Sequence, residues 1–166
     1  VYPFTPQPII TQALLLAADI PVFAGVGGGL TKGQRVVNLA MFAEMQGATG
    51  VVLNAPTANA VVQHVAETID IPVVVTVARA DTDFEARLQA GANIFNVSAA
   101  AETPAIVRSI RERYPDVPII ATGGPTDESI LETIQAGANA ITWTPPSNGE
   151  IFRDIMAAYR DNKPHP

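Results

Sequence analysis

The sequence has no cysteine and only two histidines among its 166 residues. The first absence excludes disulfides, thiolate metal sites and a cysteine nucleophile, and it makes the cytoplasm the expected setting. His64 and His165 fall on a helix and in the C-terminal tail, so no histidine pair is available to share a metal, and we expect neither metal nor cofactor. A Gly-x-Ser-x-Gly elbow of the serine hydrolases is also missing. Charged residues make up only 16% of the chain, with a net charge of −6 and no cluster of basic residues. Nucleic acid and anionic membrane surfaces are therefore poor electrostatic partners, and a small molecule is the expected one. No apolar run reaches the length of a membrane-spanning helix, since Asp19 interrupts the most apolar region. Neither is there a basic stretch leading into an apolar core of the kind that marks a signal peptide.

What the sequence does have is repetition. Asp19-Ile-Pro-Val-Phe, Asp70-Ile-Pro-Val-Val and Asp116-Val-Pro-Ile-Ile form one set, with their prolines 51 and 46 residues apart. Gly47-Ala-Thr, Gly91-Ala-Asn and Gly137-Ala-Asn form a second set, spaced by 44 and 46 residues, each leading into an apolar run. One such period accommodates two strand-helix units, as in a parallel (βα) barrel assembled from quarter-barrel units. An apolar content of 48% suits strands that are buried on both faces. Proline fits the first residue of a strand, and glycine fits the end of the preceding helix.

The spacing predicts strands near 21–26, 72–78 and 118–122 after the proline markers, and near 50–54, 93–98 and 140–144 after the glycine markers. Val1-Tyr-Pro-Phe-Thr-Pro reads as a further strand, by analogy with Ile141-Thr-Trp-Thr-Pro-Pro. The expected fold is thus a TIM-type (βα) barrel of parallel strands, one domain over 1–160, with seven strand-helix units visible and a polar tail at 161–166. We expect an eighth unit to precede Val1; a barrel closed by seven strands or completed by a partner chain is the alternative, and a homo-oligomer is a separate expectation. Local signals place the helices. Thr31-Lys-Gly-Gln reads as a capping box, Thr103 as an N-cap ahead of Pro104, and Thr126 as a start followed by Asp127 and Glu128. Ile130, Leu131 and Ile134 are expected to face the sheet, and Ile151, Phe152, Ile155, Met156 and Tyr159 to share one side of the last helix.

In such a barrel the loops that follow the strands build the site. Thr122-Gly123-Gly124-Pro125-Thr126 brings two glycines to a helix N-terminus, and Ser147, Asn148 and Gly149 enter the next helix after Thr144-Pro145-Pro146. Both loops suit phosphate or another anion, because backbone can approach closely and free N–H groups point outward. The plainer reading is a turn and a cap. Residues 25–33 hold five glycines and Lys32, and match neither a dinucleotide fingerprint nor a P-loop. A loop so costly to order suits gripping a ligand, with Lys32 pairing with an anion or acting after a pKa shift. Arg79 and Asp81 form the other titratable candidate, Arg79 as an anion ligand and Asp81 as a base or metal ligand; alternatively Asp81 or Thr82 caps a helix and Arg79 is solvated. Asn54, Thr76, Asn96, Ser98, Thr122 and Thr144 are expected to line the interior, where they position a ligand but move protons poorly.

The run Pro118-Ile-Ile-Ala-Thr-Gly-Gly, a short helix, Ala-Gly-Ala and a final strand resembles the closing segment of the ribulose-phosphate-binding (βα) barrels. That superfamily includes keto-deoxy-phosphogluconate aldolase, thiamine phosphate synthase and N-acylmannosamine-6-phosphate epimerase. The resemblance covers roughly 72–146 and implies a phosphate held by Gly123, Gly124 and the 144–149 loop. It departs where many members have a Gly-Ser or Gly-Thr pair and this chain has Thr144-Pro145-Pro146. No predicted strand carries the Schiff-base lysine of the aldolase members, so that chemistry is not expected. The Thr-Pro-rich pattern is also similar to a bacterial group that carries a general hydrolase label. The expected function is an isomerase, epimerase or lyase acting on a phosphorylated sugar or related anion, with a non-catalytic phosphometabolite sensor or a hydrolase of the same fold as alternatives.

Overall fold

In the computed structural model, which describes residues 6–143 and 147–162, six parallel strands form one sheet in sequence order. They are β1 (Phe23–Gly27), β2 (Gly50–Leu53), β3 (Val73–Val77), β4 (Ile94–Val97), β5 (Ile119–Thr122) and β6 (Ala140–Thr142). Helices alternate with them: α1 (Pro8–Ala17) precedes β1, and α2 (Gln34–Met45), α3 (Asn59–Thr68), α4 (Phe84–Gln89), α5 (Thr103–Arg113), α6 (Asp127–Gln135) and α7 (Asn148–Arg160) follow the strands in turn. A 3-10 turn, Ala100–Glu102, leads into α5. The fold is α/β of the TIM type, a curled wall of barrel that leaves β1 and β6 as its edges. The proposed first strand at Val1–Pro6 lies almost wholly outside the described residues, as does Thr144. No helix among the described residues is long and apolar enough to cross a membrane.

The two sequence markers turn out to be hydrogen-bonded to each other. The glycine set closes helices: Gly47, Gly91 and Gly137 have φ of +92°, +100° and +110°, the left-handed region that favours glycine. After each, the alanine N–H reaches back five residues to a helix carbonyl, Ala48 to Ala43, Ala92 to Arg87 and Ala138 to Thr133. This six-residue closure is the Schellman arrangement. The next residue then pairs with the strand that began at the proline marker. Val73 N–H donates to Asn93 Oδ1 at 2.8 Å while Asn93 N–H donates to Val73 O at 2.9 Å. Ile119 and Asn139 repeat the exchange at 2.9 Å in both directions. Val22 and Thr49 do so with the threonine hydroxyl, at 3.2 and 2.8 Å. Each proline thus leaves one amide for a ladder that the following side chain completes.

Burial divides the sheet into two faces. Val51, Leu53, Val73, Val75, Val77, Phe95, Val97, Ile119 and Ala121 share one core with Val36 and Ala40 of α2, Val62 and Val65 of α3, and Ile106, Val107 and Ile110 of α5. Phe84 of α4 meets Phe95 edge to face, with ring centroids 5.6 Å apart. The intervening residues form the concave face. There Val52, Val74 and Ile94 lie in one row, and Thr76, Asn96, Ile120 and Ala140 in the next.

Several local expectations need correction. Helix α2 starts after Gly33, whose φ of +58° turns the chain, so Thr31 is tucked under the loop and forms no capping box. Thr103 already belongs to α5; its hydroxyl accepts from Ala99 N–H at 3.0 Å and closes the 3-10 turn instead. Thr126 does cap α6, through a reciprocal box with Ser129. On α6 it is Thr133 that is buried, while Leu131 and Ile134 are exposed, because this helix covers the edge strand β6. On α7, Phe152, Met156 and Tyr159 are exposed as well.

The pairing makes a stability prediction. Asn93→Ala and Asn139→Ala each strip the acceptor from a part-buried strand amide and should cost about 1–3 kcal/mol. Asn139→Ala should cost more, because Asn139 Oδ1 also accepts from Arg111 at 2.7 Å. Urea unfolding of the two variants checks the order; equal stability to the wild type would refute the role given to these side chains.

Candidate functional site

The loops at the C-terminal ends of β1 and β2 enclose a cavity of about 400 Å³. Gly28, Gly29, Lys32 and Gly33 form one wall, and Pro56, Thr57 and Ala58 the other. The glycine loop is shaped by contact. Gly28 has φ of +95°, and a Cβ there would run into Thr57 Oγ1. Thr57 is itself pinned, its hydroxyl donating to Asn54 O at 2.7 Å. Gly28 N–H donates to Thr31 O at 2.9 Å within the glycine loop, and Asn54 N–H donates to Gly27 O at 2.9 Å, which joins the two loops.

Charge distinguishes this region from the starts of α4 and α6. Helices α2 and α3 begin at the cavity without a side-chain cap and without an acid in the first turn. By contrast, α4 is capped by Asp83, which accepts from Ala86 N–H at 3.0 Å, and carries Glu85. α6 has its threonine-serine box with Asp127 and Glu128, whereas α5 has the acid Glu102 at its N-cap position without a side-chain cap bond. The positive ends of α4 and α6 are thus met by the protein's own oxygens, whereas those of α2 and α3 face the cavity. Lys32 adds a full positive charge there; the one ion pair found among the described residues is Arg79–Asp81.

The other sequence-derived candidates sit elsewhere. Arg79 and Asp81 form a two-pronged pair, with both bonds at 2.8 Å, on an exposed loop. The guanidinium bond holds the Asp81 carboxyl below its ordinary range, and the same bond raises Arg79. A general base works best with a pKa near the working pH, and this pairing moves Asp81 the other way. Neither residue lines the cavity that holds Lys32. The helix cap nearby is Asp83, not Asp81 or Thr82; the Thr82 hydroxyl donates to Arg79 O at 2.7 Å.

Gly123 and Gly124 have structural work of their own. A Cβ on Gly123 would lie 2.7 Å from Ile130 and Ile141, and Gly124, with φ of +80°, abuts Ser129. The Glu128 carboxyl at that helix start is held below its ordinary range by its own backbone N–H and by the Thr126 hydroxyl. Ser147, Asn148 and Gly149 are exposed at the start of α7.

The concave-face residues divide by level. Asn54 follows Leu53, the partner of Val75, and so stands level with Thr76 and Asn96. Asn96 Nδ2 donates to Thr76 Oγ1 at 3.2 Å, and Asn96 Oδ1 is buried without a partner. One step higher, Thr142 donates to Thr122 at 3.2 Å, and Ser98 follows Val97 on β4. Among the described residues no group of three or more His, Asp or Glu is placed to hold a metal.

The sequence reading passed over the Pro56–Ala58 wall. Its signal was available: a glycine-rich loop needs a partner surface, and Pro56-Thr57 lies in the loop that follows the adjacent strand, β2.

Neither a known family nor a curated protein matches the sequence. Solved structures do match in fold. Phosphoenolpyruvate phosphomutase from Streptomyces platensis subsp. rosaceus is 17% identical, with a TM-score of 0.67 over 94% of this chain and 67% of its own. The lyase 2,3-dimethylmalate lyase, of the PEP mutase/isocitrate lyase superfamily, is 14% identical, with a TM-score of 0.68 over 96% and 69%. N-acetylneuraminate lyase from Mycoplasma synoviae is 16% identical, with a TM-score of 0.68 over 93% of this chain but only 56% of its own. At these identities the likeness establishes the TIM-type fold and nothing finer.

The glycine loop gives a direct test. Gly28→Ala combines a forbidden φ with a collision and should destabilise by roughly 1–3 kcal/mol. Gly29→Ala, whose Cβ would only press Asn54 Nδ2 at 3.2 Å, should cost less. Thermal unfolding of the two variants side by side checks this; equal effects would mean that the Gly28–Thr57 contact is not formed.

Proposed function

We propose that the chain is a (βα)-barrel enzyme for a small anionic metabolite, a phosphorylated sugar or a related acid, with isomerase, epimerase or lyase chemistry. The observation that carries this reading is the convergence on one cavity of Lys32 and two uncapped helix starts, α2 and α3. Fixed N–H groups and a lysine in a partly enclosed site bind and orient an anion, and would stabilise negative charge that develops beside it. The hydroxyls and amides of Asn54, Thr76, Asn96, Ser98 and Thr122 would orient the rest of the substrate across the concave face. The structures similar in fold include a phosphomutase and two lyases, which supports this class.

The resemblance to the ribulose-phosphate-binding barrels points to a different anchor, Gly123 and Gly124 with Ser147, Asn148 and Gly149. We favour the Lys32 cavity, because Asp127 and Glu128 already place negative charge at the α6 start. A second reading is a non-catalytic phosphometabolite sensor. Its support is the concave face, where described polar side chains are amides and hydroxyls that exchange protons poorly at neutral pH. In either reading the expected setting is the cytoplasm.

A thermal-shift series with inorganic phosphate and sugar phosphates at fixed ionic strength tests the proposal. A ligand at about 100 times its dissociation constant should add about 2.7 kcal/mol to stability. Lys32→Ala should abolish most of that rise and leave the ligand-free melting temperature near the wild-type value. No rise with any anion contradicts the reading; a rise without turnover of the ligand favours the sensor.

A further inference from the structure

The cavity wall at residues 55–59 is tied down from outside by a residue that touches neither the glycine loop nor Lys32. Arg87, on α4, reaches back 28 to 32 residues in the sequence. Its Nη1 donates to Thr57 O and, at 2.8 Å, to Asn59 Oδ1; its Nη2 donates to Ala55 O at 2.9 Å. These three acceptors frame Pro56, Thr57 and Ala58, the residues that face Gly28 and Lys32 across the cavity.

The placement is costly in two ways, which argues that the shape of the loop is what it secures. The guanidinium is half-buried and has no carboxylate within ion-pairing distance among the described residues; Asp83 lies in the same shallow recess but acts as the cap of α4. Burial lowers its pKa, as expected for a cation that gives up water without gaining an anion. It also sits at the start of α3, the helix end that repels cations. A lysine could supply the charge but not three donors in a fixed planar fork.

We propose that Arg87 is the positioning residue of the anion cavity: by fixing the Ala55–Asn59 turn it fixes Thr57 against Gly28, and so the spacing between the two walls. This rests on the anion reading of the cavity given above, and the test separates the two. Arg87→Lys and Arg87→Met are compared with the wild type in two measurements. One is hydrogen exchange of the ligand-free protein; the other is the affinity for inorganic phosphate, by calorimetry.

In both variants, exchange should rise by about tenfold within residues 55–61 and 27–33, as local opening becomes easier, while β3 and β4 stay protected. Phosphate affinity should fall by about tenfold in both, the low end of what supporting residues contribute at a site. Arg87→Lys behaving as wild type would overturn the proposal and leave only a charge effect. A rise in exchange spread evenly over β3 and β4 would overturn it as well, since Arg87 would then be a general stabiliser. If the wild type binds no phosphate, the anion reading fails, and the exchange pattern alone decides whether Arg87 sets the wall.

Discussion

Everything at the upper face of this molecule depends on how its strands are started at the lower one. At three places a strand amide just after a proline and a side chain just after a Gly-Ala exchange two hydrogen bonds: Val22 with Thr49, Val73 with Asn93, Ile119 with Asn139. A parallel pair that closes this way has its register set at its first residue, and register decides which side chains face the core. Further ties reinforce the same end. Glu44 accepts from the amides of Asp70 and Ile71 at 2.6 and 3.1 Å. Arg111 binds the carbonyls of Pro115, Val117 and Gly137. The lower end is thus saturated with side chain to backbone bonds, and the loops at the other end are free to serve a ligand.

The helix starts of α2 and α3 differ electrostatically from those of α4 and α6. Where the protein supplies its own anion or cap, as at α4 and α6, the helix start is neutralised from within. Where it supplies none, at α2 and α3, glycines and Lys32 border an open cavity instead. The cations nearby, Lys32 in the cavity and Arg87 behind its wall, deepen the contrast. An arrangement of this sort is unfavourable while empty and is relieved by an anion, which is why the proposed site lies there and not at the pair of glycines beside α6.

The architecture was readable because its signals are local and repeated. Pro21, Pro72 and Pro118 mark strand starts since a missing amide costs little there, and Gly47, Gly91 and Gly137 mark helix ends since the left-handed turn favours glycine. The predicted strand positions follow from those markers. What the sequence did not disclose is set by contacts distant along the chain. Thr31 looked like a cap, but the turn at Gly33 buries it under the loop. Leu131 and Ile134 follow a helical period, yet stay exposed because α6 covers an edge strand. Arg87 carries no local signal at all, since its partners lie 28 to 32 residues away. The contacts of Gly123 with Ile130 and Ile141, and of Gly124 with Ser129, are equally hidden in the sequence and give both glycines a packing role besides the expected anion loop.

The most direct test of where the anion binds is an amide chemical-shift map during titration with inorganic phosphate. The account predicts saturable shifts at Gly28, Gly29, Gly33, Gln34 and Arg35 and at Asn59 and Ala60, with Asn93 and Asn139 unmoved. Shifts centred on Gly123, Gly124 and Asp127, with the α2 and α3 starts silent, would contradict it.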